Sequence, residues 1–225
     1  MQLYIGNQNY SSWSLRSWLL LQHSGIPFET HKLRLNFDDG SDFKRVLARF
    51  APSGRVPVLV DDGFAVWDTL AIAEYLAEKF LDKHLWPADP KARARARSLC
   101  AEMHSGFAAL RTHCPMNIEA ELPEVGARLM REVPELGQEL ARIVQMWQQQ
   151  FAAHGGPYLF GAFGIVDAYF APVCARIKTY ALPVPAEVSA YVERIFSLPA
   201  MQRWVTEARA EHDFLAVDEP YRSPA

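Results

Sequence analysis

Val56-Pro57-Val58-Leu59-Val60-Asp61-Asp62-Gly63-Phe64-Ala65-Val66 decides the fold. Two β-prone runs flank an Asp-Gly pair, whose tolerance of left-handed backbone suits a tight hairpin. Pro57 stands just before the first run, where a residue that donates no backbone N–H is tolerated. Downstream, Leu70, Ile72, Ala73, Leu76 and Phe80 make a broad apolar stripe at helical spacing. Upstream, Leu3 to Ile5 reads as a short strand and Ser14 to His23 as a helix ended by Gly25-Ile26-Pro27. Phe28 to Leu35 is a weaker strand and Asp42 to Phe50 a short helix. The order strand–helix–strand, then helix–hairpin–helix, predicts a small mixed α/β sheet domain over residues 1–80, with helices on both faces.

Trp86-Pro87-Ala88-Asp89-Pro90 is rigid and turn-rich, so residues 81–90 read as a linker. Residues 91–225 read as all-helical. Helices are expected over 91–114, Pro134–Ala153, Ile165–Tyr180, Ala186–Phe196 and Pro199–Glu211. The arginines of Ala92-Arg93-Ala94-Arg95-Ala96-Arg97 fan around their helix instead of forming one stripe.

The chain has 225 residues and 50% hydrophobic content, enough for a substantial core. A net charge of −3 makes no electrostatic case for nucleic acid or an anionic membrane as partner. No apolar run is long enough to span a bilayer, and Met1-Gln2-Leu3-Tyr4 does not open a secretory signal. Cys100, Cys114 and Cys174 are odd in number and far apart, so neither a disulfide framework nor a metal site is expected. The expected setting is the cytoplasm, with the thiols buried as small apolar side chains.

Three further groups carry candidate chemistry. In Asn9-Tyr10-Ser11-Ser12-Trp13-Ser14-Leu15-Arg16, three hydroxyls stand where a strand hands over to a helix. A helix N-terminus presents unpaired N–H groups and partial positive charge, which favours an anion such as a thiolate. A serine there can equally be a simple cap. A cis Val56-Pro57 bond would expose the Val56 backbone to a ligand, whereas read alone Pro57 is an edge-strand proline. Asp68-Thr69, at the junction of hairpin and helix, can grip a carboxylate or only cap the helix.

Together these groups resemble the soluble glutathione S-transferases of the serine type. Ser11-Ser12-Trp13-Ser14-Leu15-Arg16 looks like the Ser-Ser-x-x-x-Arg motif of the zeta class. Phe160-Gly161-Ala162-Phe163-Gly164-Ile165-Val166-Asp167-Ala168 is similar to the family's buried helix-start motif. The resemblance implies a thioredoxin-like N-terminal domain and an all-α C-terminal domain. It further implies glutathione as co-substrate on the first domain, a small hydrophobic electrophile between the two, and a homodimer.

The chemistry implied is thiol activation, because the thiolate is the nucleophile. A hydroxyl donating to sulfur contributes on the order of 1.5–3 kcal/mol, enough for one to two units of thiol pKa. Ser11, five residues before Arg16 as in the zeta class, is the first choice; Ser12, with the four-residue spacing of other serine-type classes, is the second. The resemblance assigns the Val56 backbone, before Pro57, to the cysteinyl part of glutathione. It assigns Thr69 to the γ-glutamyl carboxylate, Asp68 to the γ-glutamyl ammonium, and Arg55 and Lys44 to ligand carboxylates. Trp13, His104, Phe107 and Arg111 are candidates for the electrophile pocket. His104 and Phe107 fit a core role as well, and Arg111 fits either an anionic electrophile or an interdomain salt bridge.

Two departures bear on activity. Trp13 replaces the cysteine of the zeta motif, which counts against a maleylacetoacetate isomerase. Gly164 replaces the usual Ser or Thr of the helix-start motif, leaving Asp167 to cap. The leading expectation is a glutathione transferase. A glutathione-dependent cis–trans isomerase and a non-catalytic binding or regulatory protein are the alternatives. A disulfide oxidoreductase is disfavoured, since no cysteine lies near the start of the first helix.

Overall fold

The computed structural model describes residues 1–222. Its sheet has four strands: β1 (Gln2–Ile5), β2 (Glu29–Lys32), β3 (Val58–Asp61) and β4 (Phe64–Trp67), in the order β2-β1-β3-β4. Helix α1 (Ser12–His23) is the crossover that lets β2 run parallel to β1. β3 is antiparallel to β1, with Leu3 opposite Leu59, and pairs with β4 through the expected hairpin. Asp61 opposes Phe64, so the loop is Asp62-Gly63, with φ of 48° and 84°. Both are left-handed, as a two-residue turn that follows strand twist requires.

Strand alternation divides the buried residues between two faces. Leu3, Ile5 and Leu59 belong to the large core with residues of α1 and of α3 (Thr69–Lys79), while Tyr4, Val58 and Val60 cluster with Phe43 and Leu47 of α2 (Asp42–Leu47). β2 is shorter than the sequence suggests because β1 ends at Ile5, so only Leu33 N–H still reaches the ladder. Leu35 N–H turns instead to the Asn7 side chain, 2.8 Å away.

The remainder is helical: α4 (Pro90–Ser105), α5 (Ala108–His113), α6 (Pro123–Glu132), α7 (Pro134–His154), α8 (Ile165–Thr179), α9 (Ala186–Ser197) and α10 (Pro199–Arg209). Pro90, Pro123, Pro134 and Pro199 each open a helix, where the missing N–H has no intrahelical partner to lose. The single helix expected over 91–114 is two. It breaks at Gly106, where a Cβ would stand 2.8 Å from the Glu102 carbonyl oxygen, and at Phe107, which is left-handed at φ 56°. Helix α6 is unanticipated by sequence; its Gly126 lies so close to the Tyr180 carbonyl that no side chain fits.

One apolar core runs through both halves, with α1 packed on α8. Residues 81–90 hold a short 3-10 turn (Leu81–Lys83) and two buried side chains, Leu85 and Trp86. The helix-start motif acts as expected: Asp167 accepts from Gly164 N–H at 3.0 Å, and also from Leu159 N–H and the Tyr191 hydroxyl. Its glycine also finds a reason, since a Cβ on Gly164 would lie 2.9 Å from the Leu85 carbonyl oxygen. Among the described residues, no helix is long and apolar enough to cross a membrane.

Candidate active site

A cleft of about 950 Å³ lies between the sheet half and the helical half. The start of α1 supplies Tyr10, Ser11, Ser12 and Trp13 to its wall, and the segment before β3 supplies Ser53, Gly54, Arg55 and Val56. α2 adds Lys44, and the opposite wall carries Arg111, Met116, Arg176 and Asp218.

The two serine candidates differ in what their hydroxyls do. Ser11 is buried and caps α1: its Oγ accepts from Ser14 N–H at 3.4 Å and donates to Ser14 Oγ at 2.7 Å. Ser14 Oγ also accepts from Gly6 N–H at 3.0 Å. Ser12, half-buried in the first turn of α1, lines the cleft, and among the described residues its hydroxyl has no hydrogen-bond partner. Tyr10 is a poor thiol donor, because its hydroxyl donates to Glu219 at 2.6 Å and burial, with that carboxylate, pushes its pKa up.

The Val56–Pro57 bond is cis; Val56 lines the cleft and Pro57 is buried behind it. Lys44 pairs with Asp39 at 2.7 Å, and Arg55 is exposed at the rim. Asp68 and Thr69 stand at the start of α3, outside the lining of this cleft. Asp68 accepts from Leu70 N–H at 2.8 Å as the α3 cap, and Thr69 is buried with its hydroxyl 2.8 Å from the Tyr169 hydroxyl. Neither side chain lines the cavity that Ser12 opens on.

The electrophile-pocket candidates also divide. Trp13 and Arg111 line the cleft, whereas Phe107 is buried in the core. His104 stands behind Trp13, ring centroids 5.1 Å apart, with Nε2 3.4 Å from Asp68.

Arg111 was a candidate from sequence, but Arg16 and Arg176 beside it were not. Arg16 is 3% exposed, with its guanidinium carbon 4.2 Å from the Trp13 ring centre and 4.6 Å from that of Tyr169. Its Nε and Nη1 have no hydrogen-bond partner among the described residues. Arg176, equally buried, donates to the carbonyls of Cys114 and Pro172 at 2.8 and 3.2 Å and still lines the cleft. Arg111 donates to the His104 carbonyl at 3.3 Å across the α4–α5 break. Burial pulls the Arg16 and Arg176 pKa values down to about 10, which leaves both charged at neutral pH. Among the described residues, none of the three has a carboxylate within salt-bridge distance. Unpaired buried cations are costly, so a local concentration of them marks a place built for negative charge. The legible signal was Arg176 itself, a cation in the otherwise apolar run of α8.

The sequence profile of the glutathione S-transferase N-terminal domain matches residues 10–79. Mouse glutathione S-transferase theta-1 is 35% identical over 91 residues, 40% of this chain. The match spans 37% of that relative, so the chain aligns with little more than a third of its length. A Burkholderia glutathione transferase homolog, solved with bound glutathione, superposes with a TM-score of 0.66 at 27% identity, covering 93% of this chain and 97% of that one. A zeta-class bacterial maleyl pyruvate isomerase superposes with a TM-score of 0.67 over 95% of this chain and 100% of that one; at 21% identity it shows the fold alone. The sheet with its flanking helices is thioredoxin-like and is followed by a helical region. Residues 10–79 thus match a glutathione S-transferase N-terminal domain, and the chain as a whole is similar in fold to glutathione transferase homologs.

Proposed function

We propose that this protein is a glutathione transferase whose electrophile carries a negative charge. The observation that supports it most directly is the uncommitted Ser12 hydroxyl at the start of α1, opening on a cleft with three arginines gathered behind and along the facing wall. In this reading glutathione lies along the sheet side, its cysteinyl backbone against Val56 and its carboxylates toward Lys44 and Arg55. The thiol loses its proton to solvent. The Ser12 O–H and the positive end of α1 hold the thiolate, each favouring the charged form. Sulfur then attacks the electrophilic carbon, the carbon–sulfur bond forms, and the leaving group departs with its electron pair. Ser11, its proton given to Ser14, shapes the turn and stands second for the thiol contact.

Arg111 and Arg176 orient the anionic group of the co-substrate, and Trp13, stacked on Arg16, offers it an aromatic wall. The hydrophobic electrophile expected from sequence thereby becomes an aromatic or unsaturated acid. The same arginines support a second reading, reversible thiolate addition to a cis-unsaturated acid with glutathione returned unchanged. Cis-to-trans conversion at constant glutathione would identify it. Isothermal calorimetry with glutathione tests the shared foundation: absence of binding would favour a non-catalytic protein. Assays pairing neutral and carboxylate-bearing electrophiles then separate the chemistries.

The exposed Phe64 and Trp67, beside Leu70 and Tyr75, form an apolar face on β4 and α3 that we assign to a second copy in a homodimer. The free, buried thiols suit a reducing compartment, consistent with a cytoplasmic location.

A further inference from the structure

The loop between β1 and α1 is polar, buried and without a strand partner. Asn7, Gln8 and Asn9 are each at most 3% exposed, so their backbone groups must find partners inside the protein. The Asn7 carbonyl is met within the loop and the Asn9 carbonyl by Ile118 N–H at 3.2 Å, whereas the Gln8 and Asn9 N–H groups and the Gln8 carbonyl find partners at the far end of the chain. Glu211, just past α10, spans two consecutive N–H groups: Oε1 accepts from Gln8 at 2.8 Å and Oε2 from Asn9 at 3.1 Å. Its side chain is 3% exposed and its charge is balanced by Lys32 Nζ at 3.1 Å. Trp204 of α10 closes the same loop residue from the other side, donating to the Gln8 carbonyl at 3.0 Å.

The loop in turn fixes the serines. Ser11 N–H donates to the Asn7 carbonyl and Ser12 N–H to the Tyr10 carbonyl, both at 2.8 Å. A carboxylate gripping two successive N–H groups sets the rotation of that peptide, where a single hydrogen bond would leave it free to turn. Charge-assisted bonds of this kind are about twice as strong as neutral ones.

We infer that Glu211 is a positioning residue for thiol activation: it orients the loop from Gln8 so that the serine hydroxyl at the start of α1 meets the glutathione sulfur. This rests on the proposed serine-dependent transferase reading. Glu211 touches neither the cleft nor the peptide face at Val56, so its loss should misplace the hydroxyl without removing the glutathione contacts.

The test is Glu211→Gln in the full chain. The amide keeps the size but offers one acceptor where two N–H groups point. The readouts are the ultraviolet thiolate absorbance of bound glutathione against pH, the pH profile of kcat/KM, and glutathione affinity by calorimetry. The thiolate midpoint is expected to rise by about one unit, with neutral-pH kcat/KM falling about tenfold and Kd changing less than about threefold. Asp61→Asn, which removes a buried carboxylate held by Tyr75 and Lys79 away from the cleft, should lower the melting temperature with the midpoint unmoved. A folded Glu211→Gln with a wild-type midpoint and profile overturns the proposal and leaves Glu211 a structural anchor. Should that variant fail to fold, Glu211→Asp, too short to bridge both N–H groups, is read by the same criteria. If neither Ser11→Ala nor Ser12→Ala moves the midpoint, it is the serine reading that fails.

Discussion

Ser11 gives its hydroxyl proton to Ser14, 2.7 Å away, and so has none to give a ligand without breaking that bond. Ser12, the next residue, lines the cleft, and its hydroxyl has no hydrogen-bond partner among the described residues. The two substitutions should therefore separate. Ser12→Ala is expected to lower kcat/KM for conjugation at least tenfold, raising the bound thiol's pKa, with little change in melting temperature. Ser11→Ala is expected to act chiefly on stability, by about 1 kcal/mol for a lost cap. Thiolate titration and thermal melts on both variants decide between them, and the reverse pattern would restore Ser11 as the thiol contact.

Arg111 is more accessible than Arg16 or Arg176, which makes it the one of these three to replace. Arg111→Met should raise KM for a carboxylate-bearing electrophile about tenfold, the scale of a lost charged hydrogen bond. An uncharged chloronitroarene should be turned over as before. Equal losses on both substrates would show that Arg111 serves the fold through the His104 carbonyl instead.

Asp218 stands on the same wall, where burial and then Glu219 raise its carboxyl pKa while the Arg176 charge acts in the opposite direction. Asp218→Asn removes a negative charge from the cleft. An anionic co-substrate should then bind more tightly, by about threefold to tenfold for one partly screened charge. Competition by simple dicarboxylates measures this, and weaker inhibition would contradict it.

Asp167 should give stability an unusual pH slope. Burial lifts its carboxyl to about 6, above the ordinary 3.8, against three hydrogen bonds that favour the charged form. The folded state thus holds the proton more tightly than the unfolded chain. The contribution is full below pH 3.8 and is lost as pH rises through about 6. Denaturant melts of Asp167→Asn between those limits should lack this slope. Asp167→Ala, stranding three buried donors, should cost about 3 kcal/mol or more.

Phe64 and Trp67 are 62% and 42% exposed, unusual for neighbours on a hairpin. Sedimentation should find the wild type dimeric and the Phe64→Glu, Trp67→Glu double variant monomeric. A monomeric wild type would remove the homodimer.

What could be read from the sequence was local. Asp62-Gly63 names its own turn, Asp167 its own cap, and the α3 stripe its own buried face, because each signal lies within a few residues of its effect. Arg176 could be seen as an oddity in an apolar helix, but its value depends on Arg16 and Arg111 arriving from two other elements. Thr69 looked available because its partner, Tyr169, lies 100 residues away. The α4–α5 break was hidden because Gly106 in a periodic stretch is ordinarily tolerated. Its force comes from the nearby Glu102 carbonyl and the left-handed Phe107, which no spacing rule reveals.

The bond between Thr69 and Tyr169 ties the start of α3 to the middle of α8 within a core common to both halves. The two walls of the cleft are consequently built on one shared interior. A broader substrate range in this chain would have to come from exchanging wall residues such as Trp13, Met116 and Asp218, since widening the gap would mean pulling apart the protein's own interior.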